Sequence, residues 1–217
     1  MRFDTPQGPQ DIDIRDVIVA GWTGRDRAAV DHHIEELAAI GVAPPSEVPL
    51  FYRVSNGLLT QAPEVQVLGP DTSGEVEPLV VRSGDAMWLG LASDHTDRAL
   101  EATSVAASKQ VCPKPVSSVL WAWDEVADHL DQLELACDID EGGAFVRYQV
   151  GTLAAIRPLA DLVESSGLGE GGAMLCGTLA AIGGVRPAAR YDMALHDPVR
   201  GRSLSLAYSV KELPVIA

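Results

Sequence analysis

The stretch Gly74 to Ala92, GEVEPLVVRSGDAMWLGLA, constrains this chain more than any other. Glu75 to Arg82 and Ala86 to Ala92 are two β-like apolar runs, and Ser83-Gly84-Asp85 between them is a hairpin signal. A hairpin this apolar needs further strands around it, and the chain supplies them. Asp11 to Trp22 alternates as a strand, with Ile12, Ile14, Val17 and Val19 apolar. Val48 to Val54, Val65 to Leu68, Leu133 to Ala136 and Ala144 to Val150 read as strands, as do Ala173 to Cys176, Ala189 to Leu195 and Ser203 to Val210.

Helical spacing is rarer. Arg25 to Ile40 has it, closed by Gly41 and Pro44-Pro45. Asp124 to Leu130 reads as a helical stretch, and so does Thr152 to Glu164, with Thr152 as cap and Gly167 as stop. The segment after Asp94, through Glu101, is polar and helical in character, and Val105 to Val111 is mixed. Strands outnumber helices and mostly follow one another, so the expectation is one β-rich α+β domain over residues 1–217 with mainly antiparallel pairing.

The net charge of −15 argues against a nucleic-acid partner, since phosphate backbones would repel the chain and no Lys/Arg cluster offsets this. No apolar run is long enough to cross a bilayer, and the first residues carry no export pattern. Cys112, Cys137 and Cys176 are odd in number and form no CxxC pair, which points to buried, reduced thiols and a cytoplasmic protein rather than disulfides or zinc.

Glu75 and Glu77 stand two apart on a strand and so share a face, with Val76 on the other. Alone, such a pair reads as a solvated strand face. The return strand ends at Ala92, however, and brings Asp94 to the same end of the hairpin. Paired carboxylates raise each other's pKa unless a positive charge intervenes, and three of them suit a hard divalent cation. The expected ion is Mg²⁺ or Mn²⁺, with Ca²⁺ admitted. His95 points opposite to Asp94 and reads as structural or solvent-facing.

The order of motifs resembles the fumarylacetoacetate hydrolase superfamily over roughly 150 residues. Pro49-Leu50-Phe51-Tyr52-Arg53 is followed by Gly74-Glu75-Val76-Glu77-Pro78-Leu79-Val80-Val81 and then Ser93-Asp94-His95-Thr96-Asp97-Arg98. Lys109 precedes Val111-Cys112-Pro113, and Gly171 to Thr178 stands where that superfamily has a Gly-Thr strand end. The departures are a short segment from Asp94 to Lys109, Ser93 in place of Asn, Arg53 in place of Lys, and Pro78, which is expected to break its strand early.

The resemblance implies a mixed β-sandwich roll with a few flanking helices, a homodimer and a small carboxylate substrate. It implies a general base of the His-x-x-Glu type on the early helix, either His32 with Glu35 or His33 with Glu36, the second being preferred. Asp26 resembles an additional metal ligand. Lys109 would stabilise an enolate or oxyanion, with Lys114 having an equal claim from sequence alone. Gly177 and Thr178 would hold the substrate carboxylate, and Arg53, Arg98 and Gln110 would line the pocket. Trp121 and Trp123 read as core. The expected activity is metal-dependent hydrolysis of a carbon–carbon bond in a 2-oxo acid or 1,3-dicarbonyl acid. The alternatives are a decarboxylase, hydratase or tautomerase at the same site, or a non-catalytic binding module.

Overall fold

The predicted hairpin forms, in a computed structural model that describes residues 1–39 and 43–216, without the side chains of His33 and Leu37. Val76–Ser83 pairs antiparallel with Ala86–Ser93, from Val76 opposite Ser93 to Ser83 opposite Ala86. Gly84 and Asp85 make the reversal, and Gly84 takes the positive φ of 59° that a two-residue hairpin turn requires.

This hairpin lies inside a six-stranded sheet ordered Trp121–Ala122, Ala86–Ser93, Val76–Ser83, Gly172–Leu175, Asp16–Gly21, Leu50–Val54. A second sheet has the order Ala144–Thr152, Glu134–Glu141, Arg190–Asp197, Arg202–Leu213, Glu64–Leu68. The result is a β-rich α+β fold. Val76, Val80, Leu89 and Leu91 pack between the sheets against Leu135, Ile139, Tyr191 and Leu206. Leu79, Val81, Trp88 and Ala92 project from the other face into a second core with Phe3, Ile14, Val17 and Leu120. A sheet covered on both faces needs apolar residues at every position, which is why the hairpin strands read as continuous runs. The Arg190–Asp197 strand has one wet face and alternates accordingly.

Several expectations are corrected. Asp11 to Trp22 is not one strand. Gly8–Asp11 closes a terminal hairpin with Arg2–Thr5, and the next strand begins at Asp16, after the Arg15 and Asp16 amides both turn to the Gly171 carbonyl. Thr152 to Glu164 is not one helix: Pro158, with no N–H and a restricted predecessor, delays it to Leu159–Ser166. Gly167 does stop that helix, at φ 68°. Asp124 to Leu130 falls within two 3₁₀ segments, Trp123–Glu125 and Ala127–Gln132. Two pairings within the main sheets are parallel, Gly172–Leu175 with Asp16–Gly21 and Arg202–Leu213 with Glu64–Leu68.

Pro78 does not end its strand. Its missing N–H falls just beyond the end of the ladder to Gly172–Leu175, which starts at Leu79, and the Pro78 carbonyl still accepts from the Cys176 amide at 3.0 Å. The early helix spans Arg27–Ala39, and its expected end at Ile40-Gly41 lies outside the described residues. No described helix is long and apolar enough to cross a membrane. The three cysteines are free and buried.

Candidate functional site

The open end of the hairpin gathers the charges. The Asp94 amide donates to the Glu75 carbonyl at 2.9 Å, which carries the ladder one residue past the strand ends. Alternation then decides the faces. Val76 and Ser93 turn toward the space between the sheets, and Glu75, Glu77 and Asp94 turn to the opposite side. Glu77 and Asp94 are almost wholly buried, and the Glu75 side chain is 16% exposed.

Cations meet these carboxylates one by one. Arg98 reaches Glu75 at 2.9 Å and Glu101 at 3.0 Å, and its Nε donates to Ser73 Oγ at 2.6 Å. Lys109 donates to Asp94 Oδ2. Lys114, with no exposed surface, approaches Asp94 Oδ1 at 3.1 Å and donates to the His95 carbonyl. Glu77 Oε2 accepts from the Gly177 amide at 2.7 Å. Helix Val105–Gln110, capped by Ser104, delivers Lys109, and the extended Lys114-Pro115 pair lies beside Leu59–Thr60.

Burial pushes the Glu77 carboxyl well above the usual carboxylate range, and the nearby charge of Asp94 adds to this. Burial acts the same way on Asp94, but the charges of Lys109 and Lys114 overcome it and hold that carboxyl below its usual range. Lys109 is disfavoured by burial yet held above the usual lysine range, first by Asp94 and then by Glu75. Burial lowers Lys114. The cluster therefore sets an ionised Asp94 against a charged Lys109, beside a Glu77 carboxyl that holds its proton to higher pH than an ordinary one.

The comparisons agree with this architecture. A family model described as "Protein of unknown function (DUF2848)" matches residues 20–208. The chain belongs to the DUF2848 family. No curated protein is similar to it in sequence. Among solved structures, a fumarylacetoacetate isomerase/hydrolase-like protein from Oleispira antarctica superposes with TM-score 0.71 at 16% identity, covering 97% of this chain and 100% of that one. A 2-keto-3-deoxy-D-arabinonate dehydratase complexed with magnesium and 2,5-dioxopentanoate gives 0.63 at 16%, covering 94% and 75%. Maleylpyruvate hydrolase from Sphingobium sp. SYK-6 gives 0.61 at 13%, covering 93% and 72%. The DUF2848 chain thus has the fold of fumarylacetoacetate hydrolase-like proteins.

Of the residues marked in the sequence, Glu75, Glu77, Asp94, Arg98 and Lys109 come together. Gly177 and Thr178 adjoin them, but their donors are engaged inside the protein. The Gly177 N–H serves Glu77, and the Thr178 hydroxyl donates to the Val76 carbonyl at 2.7 Å. Gly177 is also fixed as glycine, because its φ is 98° and a Cβ would lie 1.7 Å from Thr23 Oγ1.

The remaining candidates lie elsewhere. Arg53 points away from the cluster and donates to the Ser166 carbonyl at 2.8 Å, in a hollow lined by Arg15, Asn56 and Gly167. Period-two alternation gives the cluster side to Tyr52, whose ring centre is 5.7 Å from Lys109 Nζ. Gln110 accepts from the Ser55 amide at 2.9 Å. Asp26 is exposed and caps the early helix, its Oδ1 accepting from the Ala28 and Ala29 amides at 3.0 and 3.2 Å. His32 stands 72% exposed, 3.4 Å from Glu36 on the same helix, while Glu35 is exposed. The His33 side chain, preferred as base, lies outside the described residues.

Sequence reasoning missed Tyr52 and Gln149 and left Lys114 level with Lys109. Gln149 is buried and ties the Val76 amide (3.0 Å) to Thr178 Oγ1 and the Leu179 carbonyl (2.7 Å each). Trp22, the one described non-glycine residue with positive φ, donates to Tyr52 Oη at 3.3 Å. Strain of that kind concentrates at functional sites and marks this corner of the molecule. His95 is buried rather than solvent-facing, and burial together with the Lys114 and Arg98 charges pushes its pKa down to about 3.

Proposed function

We propose that this chain is a divalent-metal-dependent hydrolase acting on a small 2-oxo acid or 1,3-dicarbonyl acid, with Mg²⁺ or Mn²⁺ held by Glu75, Glu77 and Asp94. The observation that carries the reading is the buried carboxylate–lysine cluster at the end of the hairpin. The donor set suits a hard cation: three carboxylates, one of them Asp94, whose buried Oδ1 has the Lys114 ammonium beside it at 3.1 Å. The raised pKa of Glu77 marks a place short of positive charge. Among the described residues no three of His, Cys, Asp and Glu already stand at ligand spacing, so binding requires Lys109 to give up part of its hold on Asp94.

A bound cation would polarise the substrate's keto-carboxylate. Lys109 stays protonated at neutral pH and offers a hydrogen bond to the oxyanion that develops on the substrate carbonyl. Arg98 holds the Glu75 carboxylate in place through their ion pair at 2.9 Å. His33, with Glu36, is assigned to take a proton from water. A homodimer is proposed with this reading, and light scattering tests it.

The exposed early helix favours a second reading, decarboxylation, which needs no water-activating base. Incubation with Mg²⁺ and acetylpyruvate or oxaloacetate separates the two. Acetate plus pyruvate supports hydrolysis, and carbon dioxide plus pyruvate from oxaloacetate supports decarboxylation. Turnover of neither contradicts both.

A further inference from the structure

A buried chain of hydrogen bonds crosses between the sheets directly behind Asp94, and nothing in the reading above uses it. Ser93 and His95 flank Asp94 and, by alternation, point away from its carboxylate into the space between the sheets. Both meet one atom there: Tyr208 Oη lies 2.9 Å from Ser93 Oγ and 3.0 Å from His95 Nδ1. His95 Nε2 continues to Thr72 Oγ1 at 2.9 Å. All four side chains are buried. Donors and acceptors match in either direction along the chain. If Thr72 donates to Nε2, Nδ1–H donates to Tyr208, whose hydroxyl donates to Ser93; the other tautomer reverses every bond.

Tyr208 belongs to the Arg202–Leu213 strand of the opposite sheet, and its ring stacks on Tyr191 with centroids 5.0 Å apart at 13°. Room for its hydroxyl comes from Gly74, where a Cβ would lie 2.1 Å from Tyr208 Oη and 2.7 Å from Ser93 Oγ. Gly74 immediately precedes Glu75. One hydroxyl thus touches the backbone leading into Glu75 and both neighbours of Asp94, the two positions whose spacing defines the carboxylate cluster.

We propose that Tyr208 is a positioning residue, its hydroxyl fixing the Asp94 carboxylate relative to Glu75 from the far sheet. The proposal rests on the metal-site reading for its consequence, since hydrogen-bonded supports of metal-binding carboxylates typically govern affinity by about 10–100-fold.

The test compares Tyr208→Phe with Tyr191→Phe in the full chain. Both remove one buried hydroxyl and keep the stacked ring, but Tyr191 Oη touches neither Ser93 nor His95; its neighbours are the Gly74 and Ala188 backbones. Two quantities are read: amide hydrogen exchange at Asp94 in metal-free protein, and Mn²⁺ affinity by calorimetry. Tyr208→Phe should speed Asp94 exchange and weaken Mn²⁺ binding about tenfold, with thermal stability close to that of Tyr191→Phe, which should do neither. Equal Asp94 exchange in the two variants overturns the proposal whatever the metal does. Faster exchange in Tyr208→Phe, with no Mn²⁺ bound even by the natural protein, upholds the positioning role and removes the metal reading instead.

Discussion

Around Asp94 charged side chains are buried and matched by opposite charges; along the Arg27–Ala39 helix they stand in water. Lys109 and Lys114 are both buried against Asp94, whereas His32 and Glu36 are 72% and 60% exposed and 3.4 Å apart. The sequence marks both regions as chemical, but they are built differently. The cluster is held by two sheets, a close-packed core on each side and a glycine at Gly177. The helix is held by its own backbone bonds and the Asp26 cap. An ion site needs fixed oxygens, which the first region has. A base that acts only with substrate present need not be in place beforehand.

The largest expected effect comes from breaking the cluster. Asp94→Ala leaves two buried ammonium groups without their shared counter-charge and should cost about 3–5 kcal/mol of stability, seen in urea unfolding. The lowered pKa of Asp94 sets the sign with pH: its contribution is present above the usual carboxylate range and lost as pH falls toward its folded value, so natural protein and variant converge in acid. On the helix the expected effect is on turnover. His33→Ala should lower turnover roughly 10²–10⁴-fold, read in a steady-state assay. Unchanged turnover would remove the helix from the chemistry and favour decarboxylation.

How much of this was legible can be said residue by residue. The hairpin and its turn were, because a sheet buried on both faces writes an unbroken apolar run and Gly84 supplies the turn. Glu75, Glu77 and Asp94 were, because strand alternation is local. Pairing between distant strands was not, since no local period says that Gly172–Leu175 runs parallel to Asp16–Gly21. Lys114 looked like any lysine, because what makes its burial tolerable is Asp94, twenty residues earlier. Arg53 was taken for its neighbour Tyr52: one residue along a strand exchanges the faces.

Glu77 sharpens the comparison more gently. A carboxyl with a raised pKa destabilises the fold as pH rises from the usual carboxylate range through its own value. Glu77→Gln removes that loss and leaves an acceptor for the Gly177 amide, so its melting temperature should exceed that of the natural protein, increasingly so toward neutral pH, while Mn²⁺ binding disappears. A melting temperature below that of the natural protein would show that Glu77 is ionised and well paired. The smallest effect is expected at the helix cap: Asp26→Ala should loosen the early helix by about 1 kcal/mol, read as faster amide exchange at Ala28 and Ala29, with Mn²⁺ affinity unchanged. A drop in Mn²⁺ affinity would return Asp26 to the ion.

The central claim is that Glu75, Glu77 and Asp94 hold one divalent ion. Crystals grown with Mn²⁺ and oxalate, measured at the manganese absorption edge, test it directly. The account predicts one anomalous peak per chain, in contact with oxygens of all three carboxylates and with oxalate beside Lys109. A peak elsewhere, or none while Lys109 remains on Asp94, would contradict it.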